Sequence, residues 1–260
     1  MRLFHYTDVS AVSSMLKSGM MWASDIRYLN DHSEYRDGEG CIRSVFESRL
    51  QELDPEGALK ITEHLDKFLD SSKNSYTLVC SLSEGEDLLS QWRGYCPRTG
   101  GYAIEFEMGD SREFGAPLHN CIYAKSDKEN MASSLFDVAK RVIVERRGNK
   151  SRLFQTTWSN ISRFKNSGFS EEVERRVVIF KRTSDEKIKY RARDGMLVPY
   201  MELELPFHLV KSIWIGPCPN PDLATLSLQG YLSSLSRVPG HYYQTNPLPT
   251  IRNSSITFRG

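Results

Sequence analysis

The sequence predicts an α+β fold: a mixed or antiparallel central sheet carrying helical insertions. Three observations point there. Short apolar, β-branched runs such as "YTLVCSLS" and "RVVIF" recur and read as strands. Longer amphipathic stretches read as helices, and the two kinds come in mixed runs. A chain of 260 residues with 39% hydrophobic content can bury a sizeable core. It is read as one domain, 1–260, with helical insertions near 34–70 and 132–166.

"LFHYT" is the first strand. Asp8 caps a short helix that lines up Val9, Val12, Met15 and Leu16 and closes at Gly19. "MMWASDIRYLNDHSEY" follows, rich in capping residues and expected to be mostly irregular. Two helical patterns, 34–53 and 55–69, mix many charges into their faces and suggest a surface-packed pair. Strand 76–83 opens a β-rich middle. It continues through a short helix or turn in "SEGEDLLSQWRGY", a strand after a Gly-Gly turn in "GGYAIEFE", and another in "HNCIYA". Amphipathic helices are expected over 132–147 and 152–165, then strands at 174–181, "KIKYRA", "MLVPYMELEL" and "VKSIWIGP". Asn220 and Pro221 cap and start a further helix, and "SSITFR" reads as a closing strand.

Lys plus Arg number 34 against 33 Asp plus Glu, a net charge of +1, so no global argument favours nucleic acid or an anionic membrane. The basic run at 140–152 reads equally well as a nucleic-acid patch or a solvated helix face. Five widely spaced cysteines include no Cys-x-x-Cys pair, which speaks against a zinc ribbon or dithiol redox site. The first ten residues lack an apolar signal core, and no run reaches the ~18 apolar residues of a membrane span. A soluble cytoplasmic protein is expected. Neither a Gly-rich phosphate loop nor a G-x-S-x-G elbow occurs, which leaves P-loop, dinucleotide-fold and α/β-hydrolase readings unsupported.

The stretch "GFSEEVERRVVIF" raises the sharpest chemical question. Alternation along a strand would put Glu172, Glu174 and Arg176 on one face, with Glu171 and Arg175 beside them. Paired acids repel unless a cation, metal or ligand intervenes, and such a pair suits acid–base work. The plainer reading is a solvated loop whose acids pair with the two arginines. Ser81 and Ser83 end an apolar strand with hydroxyls on one face, and His5 and Thr7 share a face of the first strand opposite Phe4 and Tyr6. Either could hold a ligand; either could be ordinary strand termination or a satisfied core histidine. The loop 24–35 concentrates Asp25, Arg27, Asn30, Asp31, His32 and Glu34, which fits a functional loop or a set of helix-capping turns. Gln91, Trp92, Arg93 and Tyr95 could stack a base or hold a phosphate, although Trp92 alone reads as a core anchor. No second cluster stands at metal-ligand spacing, so no metal is expected.

In order, these pieces resemble the three-part plan of ADP-ribosyltransferases: a polar residue on the first strand, a serine strand, and a late glutamate. "HYT" before a short helix resembles the His-x-Thr start of that superfamily, while Ser-Leu-Ser stands where it reads Ser-Thr-Ser. The resemblance implies NAD as substrate. His5, Tyr6 and Thr7 would meet its nicotinamide ribose or phosphate, Ser81 and Ser83 would shape the nicotinamide pocket, and Trp92 and Arg93 would join the binding surface. Glu174, with Glu172, would stabilise the cationic ribose as nicotinamide leaves. ADP-ribose would pass to a protein or nucleic acid, or to water, in the manner of a bacterial toxin or defence effector. Over nearly its full length the chain also resembles a bacterial family of uncharacterised proteins, domain of unknown function twenty-nine seventy-one. The matching segments are "FHYT", "MWASDIRYLNDHSEY", "SLSEGEDLLSQWRGY", "GGYAIEFE", "GFSEEVERRVV", "VPYMELEL", "IWIGP" and "SSITFR". Two alternatives stand beside the NAD reading. One is a metal-dependent nuclease using Asp31, Glu34, Glu172 and Glu174, which lacks a lysine at the acid strand because Arg is found there. The other is a non-enzymatic binding module.

Overall fold

A computed structural model describes residues 1–29, 33–97, 99–109 and 113–257. The strands are β1 (Arg2–Thr7), β2 (Met20–Asp25), β3 (Ser75–Ser83), β4 (Tyr102–Glu107), β5 (Leu118–Asn120), β6 (Glu174–Arg182), β7 (Lys189–Arg193), β8 (Met196–Glu204), β9 (Val210–Ile215) and β10 (Thr250–Asn253). The helices are α1 (Val9–Ser18), α2 (Ser33–Arg49), α3 (Pro55–Asp70), α4 (Leu89–Tyr95), α5 (Lys125–Ala139), α6 (Lys150–Ile161) and α7 (Pro221–Leu235). The fold is α+β, with a mixed, mostly antiparallel open sheet; among the described strands only β9 and β10 pair in parallel, and an isolated parallel bridge joins Ile122 to Phe164.

Strand β3 organises the sheet. Along its whole length it pairs with β6, from Ser75↔Arg182 to Ser83↔Glu174. Its other edge is shared: β1 meets it at Phe4↔Ser83, and β2 at Ser24↔Val79 and Asp25↔Leu78. From there the sheet divides. One wing runs β1–β4–β9–β10, the other β2–β8–β7, while β5 extends β6.

Register then decides which face each side chain takes, because cross-strand partners share a face. Leu3, Leu78, Cys80, Leu82, Ile104 and Val177 turn to one side, where Leu16 of α1 and Leu232 of α7 complete the main core. Phe4, Tyr6, Ala103 and Trp214 turn to the other, under Trp92 of α4. On that second side a separate helical core, built on Ile42, Ile61, Phe136 and Trp158, packs against Phe180 of β6. The two insertions therefore join in one helical layer, where a surface-packed first pair was expected.

Capping chemistry sets several boundaries. Asp8 Oδ1 accepts from Ala11 N at 2.7 Å, and Gly19 closes α1 in the left-handed region at φ 70°. Asn220 caps α7 with Pro221 in its first turn. Other expectations are corrected. Residues Met20–Asp25 form a strand instead of irregular chain, because β8 pairs with them on one edge. The helix expected over 132–147 begins earlier, at Lys125, and ends in a π turn, Lys140–Val144, that buries Val142 and Ile143. This breaks the basic run at 140–152 into a turn and the start of α6. The closing strand is Thr250–Asn253, and the expected strand "SSITFR" starts past it; Phe258 and Arg259 of that run lie outside the described residues. Ser254 and Ser255 instead bond Asp87, whose Oδ1 also accepts from Trp92 Nε1 at 2.8 Å.

Candidate functional site

The segment between α6 and β6 brings four charged side chains into one sealed cluster. A 3-10 turn, Ser167–Glu172, leads into β6. Between the two acids, Val173 adopts left-handed backbone, φ 41° and ψ 52°. For a β-branched residue this is an outlier, since Cβ crowds the following carbonyl. The twist returns Glu172 to the side of the sheet that Glu174 occupies. Strand alternation was expected to do this, but Glu172 precedes the strand.

Lys165 fills the space between the acids. Its Nζ donates to Glu172 Oε2 at 2.5 Å and to Glu174 Oε2, with side-chain exposures of 3%, 8% and 2% in that order. Arg176 closes the far side: its Nε donates to Glu174 Oε1 at 2.7 Å and its Nη1 to the Ser162 carbonyl at 2.7 Å. Glu174 N donates to Tyr123 Oη at 2.7 Å. Burial pushes the Glu174 carboxyl up, but the charges and hydrogen bonds of Arg176 and Lys165 outweigh it and hold the group at about 2. Glu174 is therefore buried, with both carboxylate oxygens paired, in place of the solvated loop of the plainer reading.

The serine strand reaches the same cluster. Ser83 Oγ donates to the Glu172 carbonyl at 2.6 Å and accepts from Gly85 N at 2.9 Å. Ser81 pairs with Arg176 across the ladder. From α4, Tyr95 Oη stands 3.5 Å from Glu172 Oε2, and burial raises its phenol. Tyr6 lies beside α4, edge-on to Trp92 with centroids 4.7 Å apart, and its Oη donates to the Gly85 carbonyl at 2.8 Å. Ser83, Glu172, Glu174, Tyr95, Tyr6 and Trp92 are thus gathered at one end of β3 and β6.

His5 is not among them. Phe4 pairs with Ser83 and Ser83 with Glu174, so those three share a face and His5 takes the opposite one, beside Ile104. The expected convergence of His5 with Glu174 is corrected by this register. His5 Nδ1–H instead donates to the Ser81 carbonyl at 2.9 Å, where β1 leaves β3, and burial lowers its imidazole. Thr7 offers its carbonyl to Cys96 Sγ at 3.2 Å, and Arg93 is exposed. Asp25 is fully buried and bonds Arg27 and Thr77 N, far along β3 from the acids; burial raises its carboxyl against Arg27. Asn30, Asp31 and His32 lie outside the described residues, as does the side chain of Glu34. Among the described residues, no three His, Cys, Asp or Glu side chains gather as a metal site.

Sequence reasoning missed Lys165 and the strain at Val173. A lysine at the expected end of a helix gave no reason to look seven residues back from Glu172, and a valine carries no signal of left-handed backbone.

The family model described as "Protein of unknown function (DUF2971)" matches residues 91–177. The matched segment contains Trp92, Tyr95, Lys165, Glu172, Glu174 and Arg176, and leaves out His5, Ser81 and Ser83. No curated protein and no solved structure matches the chain. No helix among the described residues is long and apolar enough to cross a membrane.

Proposed function

We propose that the chain is an ADP-ribosyltransferase-like enzyme that cleaves the nicotinamide–ribose bond of NAD at the Glu172–Val173–Glu174 turn. The observation that carries this reading is the strained Val173, because left-handed backbone at a β-branched residue is a conformation that functional sites retain. The gathering of the serine strand end, two acids and three aromatic residues at one place supports it. Glu172, the less enclosed acid, takes the catalytic role, and Glu174 acts through Lys165 as a positioning residue. The glycosidic C–N bond breaks with its electron pair leaving on nicotinamide. Glu172 stabilises the positive charge that develops on the ribose. An acceptor hydroxyl, an amine or water then bonds the ribose carbon and loses its proton. His5 has no part in binding NAD in this arrangement; Tyr6, Trp92 and Tyr95 form the aromatic wall.

A second reading, a non-catalytic binding module in which the cluster only holds the fold, is favoured by the complete pairing of Glu174. The nuclease alternative gains from Lys165, the lysine that the acid strand itself lacks. One experiment tests the proposal against the other two. Purified protein is incubated with NAD and a cell extract as acceptor source, with and without chelator, and released nicotinamide is measured. Release insensitive to chelator, falling on the order of 10²-fold in Glu172→Gln, fits the proposal. No release overturns it, as does equal release by wild type and Glu172→Gln.

A further inference from the structure

Strand β7 is the outermost strand of its wing, so one of its edges has no strand beside it among the described residues. The β7–β8 hairpin turns on Asp194 and Gly195, at φ 50° and 76°, the positive pair that a two-residue type I′ loop requires. Such a loop makes Arg193 and Met196 a hydrogen-bonded pair, and pairs alternate from there. Arg193, Arg191 and Lys189 therefore direct their backbone groups to β8. Pro199, which has no N–H, stands opposite Tyr190, where the ladder needs none. Tyr190 and Ala192 turn their N–H and C=O groups outward, and both residues are exposed.

Lys189, Arg191 and Arg193 share one face of this edge. Lys189 is held by Glu202 at 2.7 Å and Arg193 by Asp194 at 3.3 Å. Arg191 differs. Its half-buried guanidinium lies over the Trp22 ring, 5.0 Å from the centroid, and its Nη2 donates to Ser24 Oγ at 3.2 Å. Among the described residues no carboxylate pairs with it. Its Nε is sealed without an acceptor, whereas Nη1 is neither bonded nor sealed and can be met from solvent. Burial and the neighbouring Arg193 disfavour the charge, and an anion on Nη1 would favour it.

A second copy of this chain does not supply that anion. Antiparallel pairing of β7 with its own copy sets Arg191 against Arg191 and Lys189 against Arg193, and like charges directly opposite are destabilising. We propose that β7 accepts an added antiparallel strand from an acidic partner, a peptide with a carboxylate at every second residue. Its backbone bonds Tyr190 and Ala192, and one carboxylate meets Arg191 Nη1. Across this edge the residue opposite Arg191 is in a non-hydrogen-bonded pair, where side chains stand closest. The proposal uses no residue of the acid cluster and is independent of the NAD reading.

Two heptapeptides test it: acetyl-Thr-Glu-Thr-Glu-Val-Glu-Thr-amide, and the same peptide with Gln for each Glu. Each is titrated calorimetrically, and amide exchange is followed at Tyr190 and Ala192. The Glu peptide is expected to bind at least about tenfold more tightly than the Gln peptide and to slow exchange at those two amides. Arg191→Gln is expected to remove most of that preference. Ala192→Pro removes an outward donor but no bond to β8, as proline does on a sheet edge. It is expected to abolish binding of both peptides, with an unaltered thermal transition. Equal affinity of the wild type for the two peptides overturns the proposal. So does absence of binding, exchange at Tyr190 and Ala192 that does not slow, a preference for Glu that survives Arg191→Gln, or binding unchanged by Ala192→Pro.

Discussion

Lys165 and Glu174 meet in a direct ion pair with 3% and 2% of their side chains exposed, and they come from opposite ends of the segment that enters β6. Arg176 completes the pairing of the carboxylate from the other side. Such a cluster is weak evidence of net stability when intact, because desolvating the charges offsets their attraction. Breaking it is another matter.

Glu174→Gln leaves two buried cations facing an amide. The expected loss is about 3–5 kcal/mol of folding stability, measured by denaturant unfolding. Lys165→Met should cost less in the Glu174→Gln background than in wild type, because the Lys165–Glu174 pair it breaks is already gone there. Additive losses in the double variant would show that the two residues do not interact as described.

The pH dependence follows from the same group. Glu174 sits at about 2 in the folded protein, below its ordinary 4.5. A depressed carboxyl stabilises the fold above its unfolded value and loses that contribution as pH falls through the folded one. The expected acid-induced loss of stability from this group therefore falls between pH 4.5 and about 2. Glu174→Gln should flatten the stability profile across that window. A mutant profile parallel to wild type there would contradict the assignment.

Val173 is exposed, so its side chain contributes little packing while its backbone is strained. Val173→Gly should raise stability by roughly 0.5–1 kcal/mol: relief of left-handed strain exceeds the entropy that glycine brings to the unfolded chain. The denaturation midpoint should move up at constant slope. A lower midpoint would mean that the valine side chain is held by contacts of its own.

Asp87 ties the chain's last described residues to α4, accepting from Ser254 Oγ at 2.6 Å, Ser255 N at 2.8 Å and Trp92 Nε1. Asp87→Ala should reduce stability by about 1–3 kcal/mol and speed amide exchange at Ser255 and Ile256. Unchanged exchange at those amides would show that β10 alone holds the segment.

Where local chemistry decides structure, the sequence was readable. Asp8 and Gly19 bound α1, Asn220 and Pro221 start α7, and the apolar run after Glu174 is β6. Met20–Asp25 was not readable as a strand: "MMWASD" lacks alternation, and pairing with β8 and β3 is what extends it. Glu174 and the Ser83 strand end were legible as polar groups on β-strands, and they do meet; Glu172 joins them from the turn before β6. The opposite placement of His5 was not, because parity across β1, β3 and β6 depends on register that no single segment encodes. Lys165 was invisible for the same reason: only the turn at Val173 and the docking of Lys165 N on the Ile122 carbonyl, at 3.0 Å, bring it between the acids.

The central place of β3 has a consequence for biosynthesis. Its full-length partner, β6, is translated some ninety residues later, since Ser83 waits for Glu174 and Ser75 for Arg182. A nascent chain that has emerged only as far as α6 holds β1, β2 and β3 but presents one whole side of β3 unpaired. Such an edge recruits other strands, and it persists until distant segments arrive. Ribosome-arrested or truncated chains ending before residue 174 should therefore engage chaperones or aggregate, and chains extended past 182 should be released from that hazard.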